Sequence, residues 1–123
     1  MEALSLFQMK GKVSLVTGAG SGLGRVFCEV LAEAGSDVVC ADINEDWAKE
    51  TAGIIAGYGV RTQVIKADVV KQEEVREMFS KAEKEFGKLD VLIIACPVIL
   101  DTEYPRLMKD RLNKTEYFLS FRH

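Results

Sequence analysis

The chain has 123 residues, 48% hydrophobic and 28% charged, a composition that suits one globular domain with a modest core and leaves no room for two. Its 16 Lys and Arg against 19 Asp and Glu give a net charge of −3 without a basic run, which argues against nucleic acid or an anionic membrane as partner. The longest apolar stretch, Val91 to Leu100, is broken by Pro97 and too short to cross a bilayer, and Met1 to Gln8 lacks the pattern of a secretion signal.

Residues 1–11 read as a lead-in, with Leu4, Leu6 and Phe7 as apolar anchors for a sheet edge. Val13 to Thr17 is a short apolar strand, and it runs into Thr17-Gly18-Ala19-Gly20-Ser21-Gly22-Leu23-Gly24. A helix is expected from Ser21 to Ala34, with Leu23, Val26, Phe27, Val30, Leu31 and Ala34 on its buried side and Gly35 just past its end. The glycines therefore sit between a buried strand and a helix N-terminus, where unpaired N–H groups and the helix dipole can hold a phosphate by main chain alone. In that setting Gly18 permits the tight turn, Gly22 lets backbone approach a pyrophosphate, and Gly24 allows close helix packing. The alternative is a glycine-rich turn with no ligand.

Asp37 to Asp42 has the β-branched density of a buried parallel strand and ends on an acid. Asn44 is a plausible N-cap, followed by a helix to about Ala56 with Trp47, Ala48, Ala52 and Ile55 facing inward. Val60 to Ala67 is a third strand, ending at Asp68. From Lys71, the spacing of Val75, Met78, Phe79, Ala82 and Phe86 predicts a third helix closed by Gly87, and Leu89 to Ala95 is a fourth strand. Strands alternating with helices imply an α/β fold: a three-layer, doubly wound parallel sheet of Rossmann type, four strands in the order 3-2-1-4. Its crevice between strands one and four is the place where such sheets bind ligands. Cys28, Cys40 and Cys96 are widely spaced in apolar segments and read as reduced core thiols of a cytoplasmic protein, and no metal-ligand cluster is visible.

Thr17-Gly18-x-x-x-Gly22-x-Gly24, Asp42, Asp68-Val69 and Leu89-Asp90-Val91-Leu92 together resemble the short-chain dehydrogenase/reductase family, over roughly residues 10–93. The resemblance implies a nicotinamide dinucleotide as cofactor and hydride transfer on alcohols or ketones as ancestry. It carries the cofactor-binding role to Gly18, Ser21, Gly22, Leu23, Gly24, Asp42, Ile43, Asp68 and Val69. Asp42, 18 residues after Gly24, is expected to accept hydrogen bonds from the adenosine ribose and to repel a 2′-phosphate. Ile43 and Asn44 follow it, with no arginine, so NAD is the expected cofactor. Asp68 is expected near the adenine, with Val69 packing beside it.

Three departures limit what the resemblance implies. The family's Asn-Asn-Ala-Gly after strand four is replaced by Ile94-Ala95-Cys96-Pro97. Its tyrosine four positions before a lysine is absent, since Thr62, Met108 and Phe121 follow Tyr58, Tyr104 and Tyr117 at that spacing, and Lys109 is out of register. The length also predicts a chain truncated before the catalytic serine, so residues 1–123 are read as one NAD-binding domain with a core over 12–95 and a divergent helical tail over 96–123. No catalytic residue is assigned: residues 112–119 faintly resemble the family segment whose asparagine supports the proton relay, but Asn113 reads rather as an ordinary helix-surface residue, and His123, the only histidine, is terminal. The expected function is the NAD(H)-binding portion of an oxidoreductase, inactive alone. A non-catalytic dinucleotide-binding module and a decayed reading frame stay open. Strand four would have an exposed edge, to be covered by the tail from Tyr104 to Phe121 or by a second copy.

Overall fold

The computed structural model describes residues 8–94 and 117–120. Five parallel strands form one sheet: β1 (Val13–Thr17), β2 (Asp37–Asp42), β3 (Thr62–Lys66), β4 (Val91–Ile94) and β5 (Tyr117–Ser120). The spatial order is β3-β2-β1-β4-β5. Helices α1 (Gly22–Glu33), α2 (Glu45–Ala56) and α3 (Gln72–Phe86) complete it. The four expected strands are therefore present in the order 3-2-1-4, and among the described residues a fifth strand extends the sheet beyond β4.

The added strand lies in the tail that was expected to be helical. Tyr117 aligns with Val91 and Ser120 with Ile94, so β5 continues the ladder on the outer side of β4. Aromatic and apolar residues favour an extended segment once a hydrogen-bonding edge is on offer. The edge of β4 is consequently covered by a segment of the tail, the first of the two arrangements expected for it. Asn113, Lys109, Cys96 and His123 lie outside the described residues, as do Leu4, Leu6 and Phe7.

Helices cover both faces of the sheet. Alternating residues of the strands sort into two cores: Val13, Leu15, Val39, Ala41, Leu92 and Ile94 pack with Val75, Met78, Phe79 and Ala82 of α3. Val16, Val38, Cys40, Val91 and Ile93 pack with Cys28, Leu31 and Ala32 of α1 and Ala48, Ala52 and Ile55 of α2. Period two along the strands and period 3.6 along the helices are what make this division possible.

α1 buries a different face from the one expected. Gly24, Cys28, Leu31 and Ala32 are buried, whereas Leu23, Val26 and Val30 are exposed. The reason lies at its first turn, where Gly24 touches the backbone of Gly18 so closely that a side chain has no place. That contact fixes the rotation of the helix, and the residues at i+4, i+7 and i+8 from Gly24 then face the sheet. Its C-terminus closes on a Schellman motif: Gly35 N–H donates to Ala32 O at 3.0 Å, Ser36 N–H to Leu31 O at 3.0 Å, and Gly35 has φ 101°. Trp47, expected inside α2, is 50% exposed. Asn44 does cap that helix, its side chain accepting from Trp47 N–H at 3.1 Å.

Candidate functional site

The carboxyl ends of β1, β2 and β3 meet at one side of the sheet. Ala19 N–H donates to Ala41 O at 3.0 Å and Ala67 N–H to Asp42 O at 3.1 Å, which ties the segments leaving the three strands to one another. Between them is a cleft of about 170 Å³ lined by Gly18, Asp42, Ile43, Ala67, Asp68, Val69 and Val70. Pockets for whole small-molecule ligands run to roughly 300–1,000 Å³. This cleft is therefore the size of one end of a dinucleotide, and the remainder of such a ligand would lie on open surface.

The structure brings five of the nine predicted residues into that cleft: Gly18, Asp42, Ile43, Asp68 and Val69. Ile43 is 61% exposed and Val70 is 72% exposed, so the rim is apolar. Asp68 accepts from Val70 N–H at 3.0 Å through Oδ1, a local turn that holds the carboxylate beside the cleft. Ser21, Gly22 and Leu23 lie at the mouth of α1, all exposed, and Gly24 is buried beneath them. Ser21 occupies the N-cap position without a side-chain cap bond, and no acidic residue stands in the first turn. The positive end of the helix is thus left to solvent or to an anion.

The glycines divide the work as their positions demand. Gly18 has φ 68° and turns the chain out of β1. Gly22 has φ 55°, and a Cβ there would meet nothing within 4 Å, so its hydrogen faces open space. Gly24 is the packing glycine. A helix N-terminus facing open space can take an anion such as a pyrophosphate, and the cleft lining includes no Lys or Arg.

Asp42 is 8% exposed and already holds two backbone N–H groups, Gly20 at 2.8 Å on Oδ2 and Asn44 at 2.9 Å on Oδ1. Each carboxylate oxygen keeps a second lone pair, so the group can accept further donors from the cleft while its orientation is fixed. Gly20 was not among the predicted site residues. It packs against the first turn of α2, where an added Cβ would lie 2.5 Å from Trp47 Cβ and 2.8 Å from Asp42 Oδ2.

Two more residues of the site escaped sequence reasoning. Thr51 Oγ1 donates to Ala19 O at 2.9 Å and accepts from Arg25 Nε at 3.0 Å. Arg25 Nη2 donates to Gly20 O at 2.7 Å, and Nη1 reaches Glu50 Oε1 at 3.4 Å. A signal existed for Thr51: it falls in the buried period of α2 with Ala48, Ala52 and Ile55, and a polar residue there needs a partner. Among the described residues no group of His, Cys, Asp and Glu could hold a metal ion, and no helix is long and apolar enough to cross a membrane.

Comparison with known proteins agrees with this geometry. The sequence profile of the short chain dehydrogenase family matches residues 12–115. A short chain dehydrogenase/reductase of Aspergillus oryzae, astE, is 44% identical over 88 residues, covering 71% of this chain and 34% of that protein. The crystal structure of a short-chain type dehydrogenase/reductase from Mycobacterium marinum superposes with a TM-score of 0.72 at 34% identity, covering 82% of this chain and 40% of the other. A xylitol dehydrogenase with NAD+ bound gives a TM-score of 0.68 at 31% identity, covering 70% and 33% respectively. The chain spans 31% to 45% of the length of the curated relatives it matches. With the glycine turn, the strand order and the profile match in agreement, the chain belongs to the short chain dehydrogenase family.

Proposed function

We propose that this chain binds NAD as the cofactor portion of an oxidoreductase acting on alcohols or ketones. The adenosine end occupies the cleft, its ribose hydroxyls donating to Asp42 and its base lying between Ile43, Asp68 and Val69. The pyrophosphate lies over Ser21, Gly22 and Leu23 at the mouth of α1. When bound, the nicotinamide supplies hydride transfer. The observation that carries the reading is Asp42, an acid held in place at the wall of a cleft whose lining includes no Lys or Arg. Arg25, the cation nearest in sequence to the turn, is spent on Thr51, Gly20 and Glu50. Bound xylitol dehydrogenase supports a nicotinamide cofactor for a relative of this kind.

The 123 residues contain no Tyr-x-x-x-Lys pair, which favours binding without turnover by this polypeptide alone. Buried free thiols at Cys28 and Cys40 support a reducing, cytoplasmic setting. The test is titration with NAD and NADP by calorimetry. Saturable NAD binding, with NADP weaker by tenfold or more, is expected, since each unit of 1.4 kcal/mol is about tenfold and a carboxylate facing a phosphate costs at least that. Equal affinities, or tighter NADP, would overturn the cofactor assignment.

A further inference from the structure

The glycine turn is gripped from behind. In a trans peptide the C=O and the following N–H point in opposite directions, and among the described residues no peptide bond is cis. Whatever holds the carbonyl of one residue therefore aims the amide of the next. Thr51 holds Ala19 O at 2.9 Å, and the amide of that same peptide, Gly20 N–H, points the other way to Asp42 Oδ2 at 2.8 Å. A continuous path of hydrogen bonds thus runs from the buried hydroxyl on α2, through one turn peptide, to the acid at the cleft wall. Arg25 holds Gly20 O at 2.7 Å, and the amide on the far side of that peptide belongs to Ser21, at the mouth of α1.

We propose that Arg25 and Thr51 are positioning residues for the dinucleotide, Arg25 aiming the Ser21 N–H at the pyrophosphate and Thr51 setting the Asp42 carboxylate for the ribose. This rests on the cofactor reading above. Neither side chain lines the cleft; Thr51 is wholly buried, and the Arg25 guanidinium is taken up by Thr51, Gly20 and Glu50, so each acts through the groups it holds. Arg25 and Thr51 also bond each other at 3.0 Å, which joins the two halves of the brace.

The experiment is calorimetric titration of the full chain and its Arg25→Met and Thr51→Val variants with ADP, adenosine and 2′,3′-dideoxyadenosine diphosphate. Asp90→Asn serves as a destabilised control, because Asp90 acts at the opposite end of the sheet, on Val13 N–H at 2.9 Å. One hydrogen bond's net worth corresponds to about a three- to tenfold change in affinity. Arg25→Met should weaken ADP by that factor and leave adenosine unchanged. Thr51→Val should weaken ADP and adenosine alike, and the difference from wild type should vanish with the dideoxy ligand. The control should lose stability without losing ADP affinity. If ADP binding is unchanged in both variants, or falls equally in Asp90→Asn, the brace is only structural and the proposal fails. If the unaltered chain binds neither ADP nor NAD, the cofactor reading itself is overturned and the proposal with it.

Discussion

Replacing Gly24 by Ala sets two effects of opposite sign against each other. Alanine in place of glycine in a helix is favoured by up to about 1 kcal/mol. Against that, the new Cβ would overlap the Gly18 carbonyl oxygen and lie 2.6 Å from its carbon and 3.1 Å from Ala19 N. Carbon atoms in contact prefer at least about 3.5 Å, so α1 would have to retreat by about 1 Å. Forcing a methyl group into a packed site costs about 1–3 kcal/mol. The upper end applies here, because the obstruction is turn backbone that cannot rotate aside.

The steric term wins by about 2 kcal/mol, which at about 4 °C per kcal/mol for a chain of this size lowers the melting temperature by about 8 °C. Gly53 supplies the comparison, since it is helical, exposed and has nothing within 4 Å of an added Cβ. Gly53→Ala should therefore raise stability by up to about 1 kcal/mol. Thermal unfolding followed by far-ultraviolet circular dichroism reads both variants, and titration with NAD reads the displaced helix N-terminus as weakened binding. A Gly24→Ala protein melting at or above the wild-type temperature would show that the turn and helix do not touch as described.

Three further outcomes are expected. The Cys28 thiol is pushed far above its ordinary pKa, first by the hydrogen bond with Cys40 and then by burial, so native protein at pH 8 should resist alkylation at both cysteines; labelling of either at its unfolded rate would refute the packing of α1 on β2. In an interior strand every amide faces a neighbour, so pairing with β5 should give slow hydrogen exchange at each of Leu92, Ile93 and Ile94, whereas rapid exchange at alternate amides would mean that β4 is an edge. General acid–base assistance is worth about 10² to 10⁴ in rate, and with no Tyr-x-x-x-Lys pair the pure chain should form no measurable NADH from alcohols or polyols; turnover abolished by changing a residue within it would place an active site here.

The sheet was legible because its signals are local: apolar runs of strand length, glycines at the helix ends, and an acid closing β2. The rotation of α1 was not. Apolar spacing ranked Leu23, Val26 and Val30 as buried, yet one backbone contact at Gly24 outweighs three side chains in fixing which face meets the sheet. β5 was missed for a related reason, since a four-residue strand has little periodicity of its own and is recognised only by the edge it pairs with. In the site, the glycine spacing and the family resemblance named Gly18, Asp42, Ile43, Asp68 and Val69 of the cleft lining but not Ala67 or Val70, which carry no motif of their own. The brace behind them was not legible, because Arg25 and Thr51 are joined through main-chain carbonyls, and backbone acceptors leave no mark in a sequence.

That brace changes how a substitution at Asp42 is read. Asp42→Ala removes the expected ribose acceptor, but it also strips the partner from Gly20 N–H at 2.8 Å and Asn44 N–H at 2.9 Å. Asn is no milder, because its single oxygen can serve only one of the two amides and its NH2 would face the other. The binding share must therefore be isolated from the ligand side, by titrating the unaltered chain with NAD and with its 2′-deoxyadenosine analogue, which leaves the turn intact. A hydrogen bond to a charged group is worth about 1.5–3 kcal/mol, or roughly 10- to 150-fold in affinity. Asp42→Ala should cost more than this deletion, since it also loosens the Gly20 peptide and lowers stability by about 1–3 kcal/mol for the buried amide left without a partner. If the variant keeps wild-type stability and its loss of affinity equals the deoxy deletion, Asp42 acts on the ribose alone and the turn stands without it.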